Sequence, residues 1–196
     1  MAIFLQKCKC FIGHSRVPSG DPFINHFIIN RVMASNDIQE IRRIIAAIPD
    51  PEIPVITIEE LGILRDVQVD EDGKIHVKIT PTYSGCPAMM AIENDIKSSL
   101  KDHGYERISI ELVFSPVWTT DWIPETAKEK LRQYGIAPPP HTSSDKSLLS
   151  LHPKKVQCPR CGSASTVLVS QFGSTACKAL YKCEDCLEPF DHFKCH

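Results

Sequence analysis

The sequence has almost no net charge and lacks the motifs of several enzyme classes. Its 22 basic and 24 acidic residues give a formal net charge of -2, which offers no overall electrostatic reason to bind nucleic acid or an anionic membrane. No run of about 18 apolar residues predicts a transmembrane helix, so we expect a soluble protein. The chain also has no G-x-G-x-x-G dinucleotide loop, no Glu-x-x-His pairs of a di-iron bundle and no plant-type ferredoxin spacing. These absences argue against hydride transfer or oxygenation by the chain itself.

Cysteine, by contrast, is abundant, with nine residues in 196. The number is odd, two pairs have C-x-x-C spacing, and no secretory signal is recognisable. This distribution favours metal or thiol chemistry in a reducing compartment over a disulfide framework. We therefore expect a cytoplasmic protein.

Hydrophobic periodicity divides the chain into four segments. Residues 34–136 follow the order helix, strand, strand, helix, strand, helix, which predicts an α+β domain whose helices cover a small three-stranded sheet. Residues 156–196 predict a smaller zinc-ribbon-like β module, and residues 137–155 predict a linker. Residues 1–33 predict a poorly ordered extension, which we interpret as lying upstream of a natural start at Met33.

The segment from Thr80 to Pro87 links a predicted strand to a predicted helix and contains Cys86. With Pro87 as the first helical residue, Cys86 becomes the N-cap, and its sulfur faces free backbone amides that favour a thiolate. An ordinary cap with an inert side chain is the alternative. The acids Asp50 and Glu52 of an upstream loop could serve a thiol or metal pocket, although acids beside helix starts are commonly caps.

The C-terminal segment carries two C-x-x-C pairs separated by 21 residues, just beyond the usual interval for a tetrahedral zinc site, and the two pairs predict one such site. A module of about forty residues buries little surface, so the metal would supply folding energy. Zinc suits a closed four-thiolate site better than iron. The predicted ligands are Cys158, Cys161, Cys183 and Cys186. Four further residues are possible extra ligands or a second thiol site, namely Cys177, Cys195, His192 and His196.

Three motifs of residues 34–136 resemble the SufT-type family of iron-sulfur assembly domains. They are Asp50-Pro-Glu-Ile-Pro, the turn from Ile58 to Gly62, and Thr82-Tyr-Ser-Gly-Cys-Pro, whose cysteine is Cys86. The tail from Phe172 to Cys195 is similar to the C-terminal part of the PaaD (PaaJ) family of phenylacetate degradation. Together the two resemblances cover about residues 34–196.

The resemblance implies an accessory component of the phenylacetyl-CoA 1,2-epoxidase system, with the oxygenase and reductase components as partners. The implied role is maturation by delivery of a metal cluster. Our first hypothesis for the mechanism is that Cys86 transiently holds iron or an iron-sulfur cluster, while Asp50 and Glu52 shape the adjacent pocket and the ribbon docks a client. A second hypothesis is a permanent binding module, in which the ribbon, Trp118 and Trp122 form a subunit contact and Cys86 is structural. A third is a thiol enzyme with Cys86 as nucleophile, which would need a base. An exposed sheet edge leaves a homodimer possible.

Overall fold

The computed structural model describes residues 37–139 and 156–194. The predicted extension, residues 1–33, and most of the predicted linker lie outside the described residues, as do Cys195 and His196.

The N-terminal module is built on a three-stranded sheet, as predicted. The first helix, α1, covers residues 37–46. The strands are β1 (Leu64–Val69), β2 (Ile75–Ile79) and β3 (Ile108–Leu112), and the longer helices are α2 (Ala88–Asp102) and α3 (Glu125–Tyr134). A short 3-10 helix covers Thr120–Trp122. These bounds confirm the predicted order of elements.

Strand pairing explains where the segment around Cys86 lies. β1 and β2 form an antiparallel hairpin, whereas β2 and β3 are parallel. Parallel neighbours need a crossover connection, which here contains α2. The loop from Thr80 to Pro87 therefore lies at the carboxyl end of β2, the middle strand of the sheet.

Alternating apolar residues form the core of this module. The central strand buries Ile75, Val77 and Ile79, and the apolar stripe of α2 packs in the same cluster through Met89, Ile92, Ile96 and Leu100. Gly135 ends α3 with φ 97°, a backbone conformation that glycine adopts without a steric cost.

The C-terminal module is a four-stranded sheet that includes residues from the end of the N-terminal module. Its strands are β4 (Ile136–Ala137), β5 (Thr166–Ser170), β6 (Lys178–Cys183) and β7 (Pro189–Phe193). Their spatial order is β4, β7, β6, β5. β4 follows α3 directly and pairs with β7 in parallel. The predicted linker thus begins inside a strand, at Ala137, rather than after the last ordered element.

Phe193 and Cys177 of the C-terminal module pack in the hydrophobic core of the N-terminal module, while the C-terminal module has a second, smaller core of its own. Phe193 of β7 is 1% exposed and belongs to the apolar cluster of the N-terminal module. Its ring meets the Trp118 ring edge to face, with centroids 6.1 Å apart. The C-terminal module is consequently packed against the N-terminal module.

The two tryptophans are used inside the fold. Trp118 is buried and donates a hydrogen bond from Nε1 to the Leu61 carbonyl, at 2.8 Å. The Trp122 ring lies under the Arg65 guanidinium, 3.8 Å from the ring centroid. The hypothesis that Trp118 anchors a partner is therefore wrong, because its side chain is already buried.

Candidate metal and thiol sites

Two separate groups of cysteines account for the six that the structure describes. Four lie in the ribbon, and two, Cys86 and Cys177, lie where the ribbon meets the N-terminal module. Among residues 37–139 and 156–194, one group of three or more His, Cys, Asp or Glu side chains has all its ligand atoms within 4.8 Å of one another. Its members are Cys158, Cys161, Cys183 and Cys186.

The geometry of the four ribbon thiols fits a shared metal ion. The Sγ atoms of Cys158 and Cys186 are 3.7 Å apart, and those of Cys161 and Cys183 are 3.6 Å apart. Cys158 and Cys183 are buried, while their partners are exposed. The structure thus brings together the four residues that the spacing predicts as ligands.

Each C-x-x-C pair folds as a tight turn that presents its two sulfurs on one side. Gly162 and Leu187 follow the two pairs and both have positive φ, 75° and 66°. The backbone amide of Cys186 donates to the Cys183 sulfur at 3.5 Å. This amide and that of Asp185 lower the pKa of Cys183, whereas the neighbouring thiols raise the pKa of Cys161 and Cys186.

The structure gives the surplus residues other environments. Cys177 is not part of the four-thiol group. His192 is buried, and its Nδ1 lies 3.1 Å from the Ala137 carbonyl oxygen, between β7 and β4. The His192 side chain therefore links β7 to β4 in this structure.

α2 begins at Ala88, with Pro87 at the preceding position, one residue later than predicted. Pro87 itself already has helical dihedrals, φ -69° and ψ -23°, and helix ends shift by one residue between definitions. The structure therefore keeps Cys86 at the start of the helix. Proline suits the first helical turn because its missing N–H would have no partner there, and the Ala88 amide stabilises the Cys86 thiolate.

The prediction that this position favours a thiolate is wrong, although the helix start lies where it was expected. Cys86 is half-buried, and burial is the largest influence on its thiol, raising the pKa above the ordinary value. The Ala88 amide and the Tyr83 hydroxyl stabilise the thiolate, but the negative charges of Glu52 and Asp50 oppose it. Desolvation of the anion thus outweighs the helix terminus.

Asp50 and Glu52 lie beside Cys86, as predicted, but they do different things. Asp50 is buried, and its Oδ1 accepts hydrogen bonds from the amides of Glu52 and Ile53 at 2.9 and 2.8 Å. Burial raises the pKa of Asp50 despite these two bonds. Asp50 fixes the loop, and the loop places the Glu52 carboxylate near the thiol.

Cys177, which the sequence predicts as a possible extra ligand or part of a second thiol site, lies beside Glu52 instead of in the four-thiol group. It is 5% exposed, and its Sγ lies 3.4 Å from Glu52 Oε2 and 3.0 Å from Thr175 Oγ1. Burial raises the pKa of Cys177 to about 11, and the Glu52 charge adds to the effect. Its separation of 91 residues from Cys86 along the chain hid this relation.

Tyr83 lies among the same groups. Burial raises the pKa of Tyr83 to about 12, and the charges of Cys86, Glu52 and Cys177 act in the same direction. A phenol that interacts with all three must lie close to each of them, because the interactions fall off with distance. We call Asp50, Glu52, Tyr83, Cys86 and Cys177 the interface pocket.

The raised pKa of Cys86 predicts slow alkylation near neutral pH. Thiolate is the reactive form, and a pKa above the ordinary value leaves less of it at pH 7. We expect zinc-loaded protein to react with iodoacetamide at Cys86 more slowly than a free cysteine peptide. The rate should rise as pH increases through and beyond the ordinary thiol range, as measured by peptide mass spectrometry.

A rate at pH 7 above that of the peptide would contradict this pKa direction. It would also support the hypothesis of a thiol enzyme, which needs an activated nucleophile.

Within the described ranges, no helix combines the length and apolar character needed to cross a membrane.

Comparison with known proteins agrees with the two-module architecture. A family model for an iron-sulfur cluster assembly protein matches residues 38–111, and a model for the PaaD zinc beta ribbon domain matches residues 142–194. The first contains Cys86 and its two acids, and the second contains the four ribbon cysteines.

Three similar proteins span these regions to different extents. The chain is 47% identical over 163 residues to a 1,2-phenylacetyl-CoA epoxidase subunit of Escherichia coli (strain K12), covering 83% of this chain and 96% of that protein. An Fe-S protein maturation auxiliary factor of Porphyromonas gingivalis is 34% identical, over 47% of this chain and 89% of that protein. A solved DUF59 structure from Bacillus anthracis is 27% identical with a TM-score of 0.48, and the match covers 52% of this chain and 97% of that one.

The match to the E. coli protein extends over nearly the whole of its length, and the two family models fall on the two modules in the predicted order. The names of these relatives describe an epoxidase component and a maturation factor, which agrees with the predicted accessory role. The chain therefore belongs to the PaaD family of phenylacetyl-CoA epoxidase components, in which an iron-sulfur cluster assembly domain precedes a zinc beta ribbon.

Proposed function

We propose that this protein matures the phenylacetyl-CoA epoxidase system by holding iron or an iron-sulfur cluster at Cys86 and passing it to the oxygenase or reductase component. The observation that carries the proposal is the position of Cys86. It is a half-buried thiol at a helix start, accompanied by two acids and a phenol. The similarity to an Fe-S protein maturation auxiliary factor supports the same role.

The chemistry of the pocket suits cargo that must be released. Thiolates are the usual protein ligands of iron-sulfur clusters. A Cys86 thiol whose pKa is raised by burial regains its proton readily when the metal leaves, which favours exchange over permanent binding. The partly exposed position of Cys86 gives a recipient access to it.

The ribbon fits zinc as a structural metal. A tetrahedral ion with Zn–S bonds of about 2.3 Å separates its sulfurs by about 3.8 Å, close to the 3.6 and 3.7 Å between paired Sγ atoms. Zinc would supply folding energy to the module and no redox chemistry. Zinc would occupy all four ribbon cysteines, Cys158, Cys161, Cys183 and Cys186. Cys86 would then remain free to bind iron or an iron-sulfur cluster.

In cells, the Cys86→Ser variant should lower the activity of the epoxidase at least about tenfold, because loss of even an outer-shell partner of a metal ligand commonly costs about 10- to 100-fold. The test replaces the native gene and measures epoxidase activity and iron content. Met90→Ser is the matched control, since Met90 lies in the first turn of α2 and is 74% exposed. Full epoxidase maturation by folded Cys86→Ser protein would refute the proposal.

A permanent structural role in the oxygenase complex is the second candidate. Phe114 and Val117, which follow β3, are 60% and 80% exposed, and exposed apolar side chains are common in contact surfaces. The E. coli relative is named as a component of the epoxidase. Fixed-stoichiometry co-purification with mature oxygenase would favour this role, whereas dissociation after maturation would favour delivery.

A further inference from the structure

β3 is an edge strand, and among the described residues it pairs with β2 alone. At one end of this ladder the Ile75 amide donates to the Arg107 carbonyl at 2.8 Å, and at the other the Val113 amide donates to the Ile79 carbonyl at 2.9 Å. Successive residues of a strand direct their amides and carbonyls to opposite sides, so every second residue of β3 faces outward. The residues whose backbone groups point away from β2 are Ile108, Ile110 and Leu112.

The apolar side chains of β3 are only partly covered by the rest of the core. Ile108 and Ile110 pack against the hydrophobic core of the N-terminal module and pair with Ile75 and Val77 of β2. Those two partners are 1% and 0% exposed, whereas Ile108 and Ile110 are half-buried and Leu112 is 39% exposed. An apolar edge strand with free backbone groups is a template for pairing with a further strand.

The opposite face of β3 carries one positive and one negative side chain. Arg107 and Glu111 are both exposed and lie four residues apart, so they share one face of the strand. Lys78, which pairs with Glu111 in the ladder, forms its ion pair with Asp66 instead, at 3.9 Å. The Arg107 guanidinium donates from Nη1 to the Asp72 carbonyl, and its further N–H donors can bind a carboxylate.

This pattern is complementary to itself in one antiparallel register. When two β3 strands pair with Ser109 at the centre, Arg107 of each copy lies opposite Glu111 of the other, and Ile108 lies opposite Ile110. Ile108 and Ile110 are the residues whose backbone groups point outward, so they form the hydrogen-bonded pairs. Arg107 and Glu111 form the pairs without backbone hydrogen bonds, in which side chains are closer. Opposite charges and apolar residues are therefore matched at once across a twofold axis.

We propose that two copies of this chain associate through β3, which joins their three-stranded sheets into one and pairs Arg107 with Glu111 across the twofold axis. The occupant of the edge is a second copy because the charged and the apolar residues of β3 each meet a complementary residue of the same strand. The carboxyl ends of the two β2 strands then point in opposite directions. The two Cys86 loops lie at opposite edges of the joined sheet and both stay accessible, so the contact does not depend on the proposed function.

Charge reversal at Arg107 and Glu111 tests the contact. Sedimentation equilibrium of the full-length, zinc-loaded protein under reducing conditions, over about 1 to 100 µM, measures the dimer dissociation constant. Arg107→Glu and Glu111→Arg each place like charges opposite each other at two symmetry-related positions, so each should raise that constant by at least about tenfold. The double variant restores both ion pairs with their charges exchanged and should recover most of the affinity. In the wild type, amide exchange at Ile108 and Ile110 should slow as protein concentration rises.

Lys182→Glu is the matched control, because Lys182 is an exposed basic residue on β6, an inner strand of the other sheet. It should leave the dissociation constant unchanged. A wild-type protein that stays monomeric at every concentration would overturn the proposal. A dimer that neither single reversal weakens, or that the double variant does not restore, would overturn it as well.

Discussion

Replacement of both Cys158 and Cys161 by serine is expected to remove about one metal ion per chain and to unfold the ribbon. The four Sγ atoms of the site lie within 4.8 Å of one another, so loss of two thiols destroys it. A structural zinc of this kind contributes on the order of 10 kcal/mol to folding. The apolar core of the ribbon is small, with seven buried residues in the part of the chain that the structure describes, and does not replace that contribution.

Zinc analysis and hydrogen exchange of β5, β6 and β7 measure the two effects. Cys177→Ser is the control, since Cys177 lies outside the four-thiol group and its loss should leave the zinc content unchanged. Full zinc content in the Cys158/Cys161 variant would place the metal elsewhere in the chain.

Phe193→Ala is expected to separate the ribbon from the assembly domain at a cost of about 3–5 kcal/mol. The Phe193 ring is 1% exposed and meets Trp118 inside the N-terminal core. The Phe193 side chain reaches from β7 into the hydrophobic core of the N-terminal module. Its removal therefore leaves a cavity where the two modules meet. Urea unfolding should show a lower midpoint. Hydrogen exchange should increase on the two surfaces, one on each module, that contact each other through Phe193.

The Phe190→Ala variant distinguishes a loss of packing between the modules from a loss of stability within the ribbon. Phe190 is 5% exposed in the core of the ribbon itself and stacks on Tyr181, with ring centroids 6.0 Å apart. This variant should destabilise the ribbon while leaving the exchange of the N-terminal module unchanged. Equal effects of both variants on the N-terminal module would contradict a specific role for Phe193 in docking.

Local patterns were sufficient to predict most elements of the fold. Apolar and polar residues alternate along β2 (Ile75–Ile79), as is typical of a strand, and Gly135 ends α3, as glycine commonly ends a helix. Thr57 and Glu60 have the spacing of a capping box and form one, because the Thr57 amide donates to Glu60 Oε2 and the Glu60 amide to Thr57 Oγ1. The C-x-x-C spacing predicted the four thiols that the ribbon brings together, because each pair occupies one tight turn.

Relations between distant segments could not be predicted in the same way. Nothing local to Cys177 indicates that it faces Glu52, because their contact depends on how the ribbon packs. The pairing of β4 with β7 is similarly non-local. The pKa of Cys86 was misjudged because the sequence shows the helix start but not the burial or the nearby charges that oppose a thiolate.

The central claim is that Cys86 holds an exchangeable cluster while the ribbon holds a separate structural metal. Iron, sulfide and zinc analysis of anaerobically reconstituted wild-type and Cys86→Ser protein tests it most directly. The account predicts unchanged zinc, about one per chain, in both proteins, with iron and sulfide retained by the wild type and lost from the variant. Equal iron and sulfide in both proteins would contradict it.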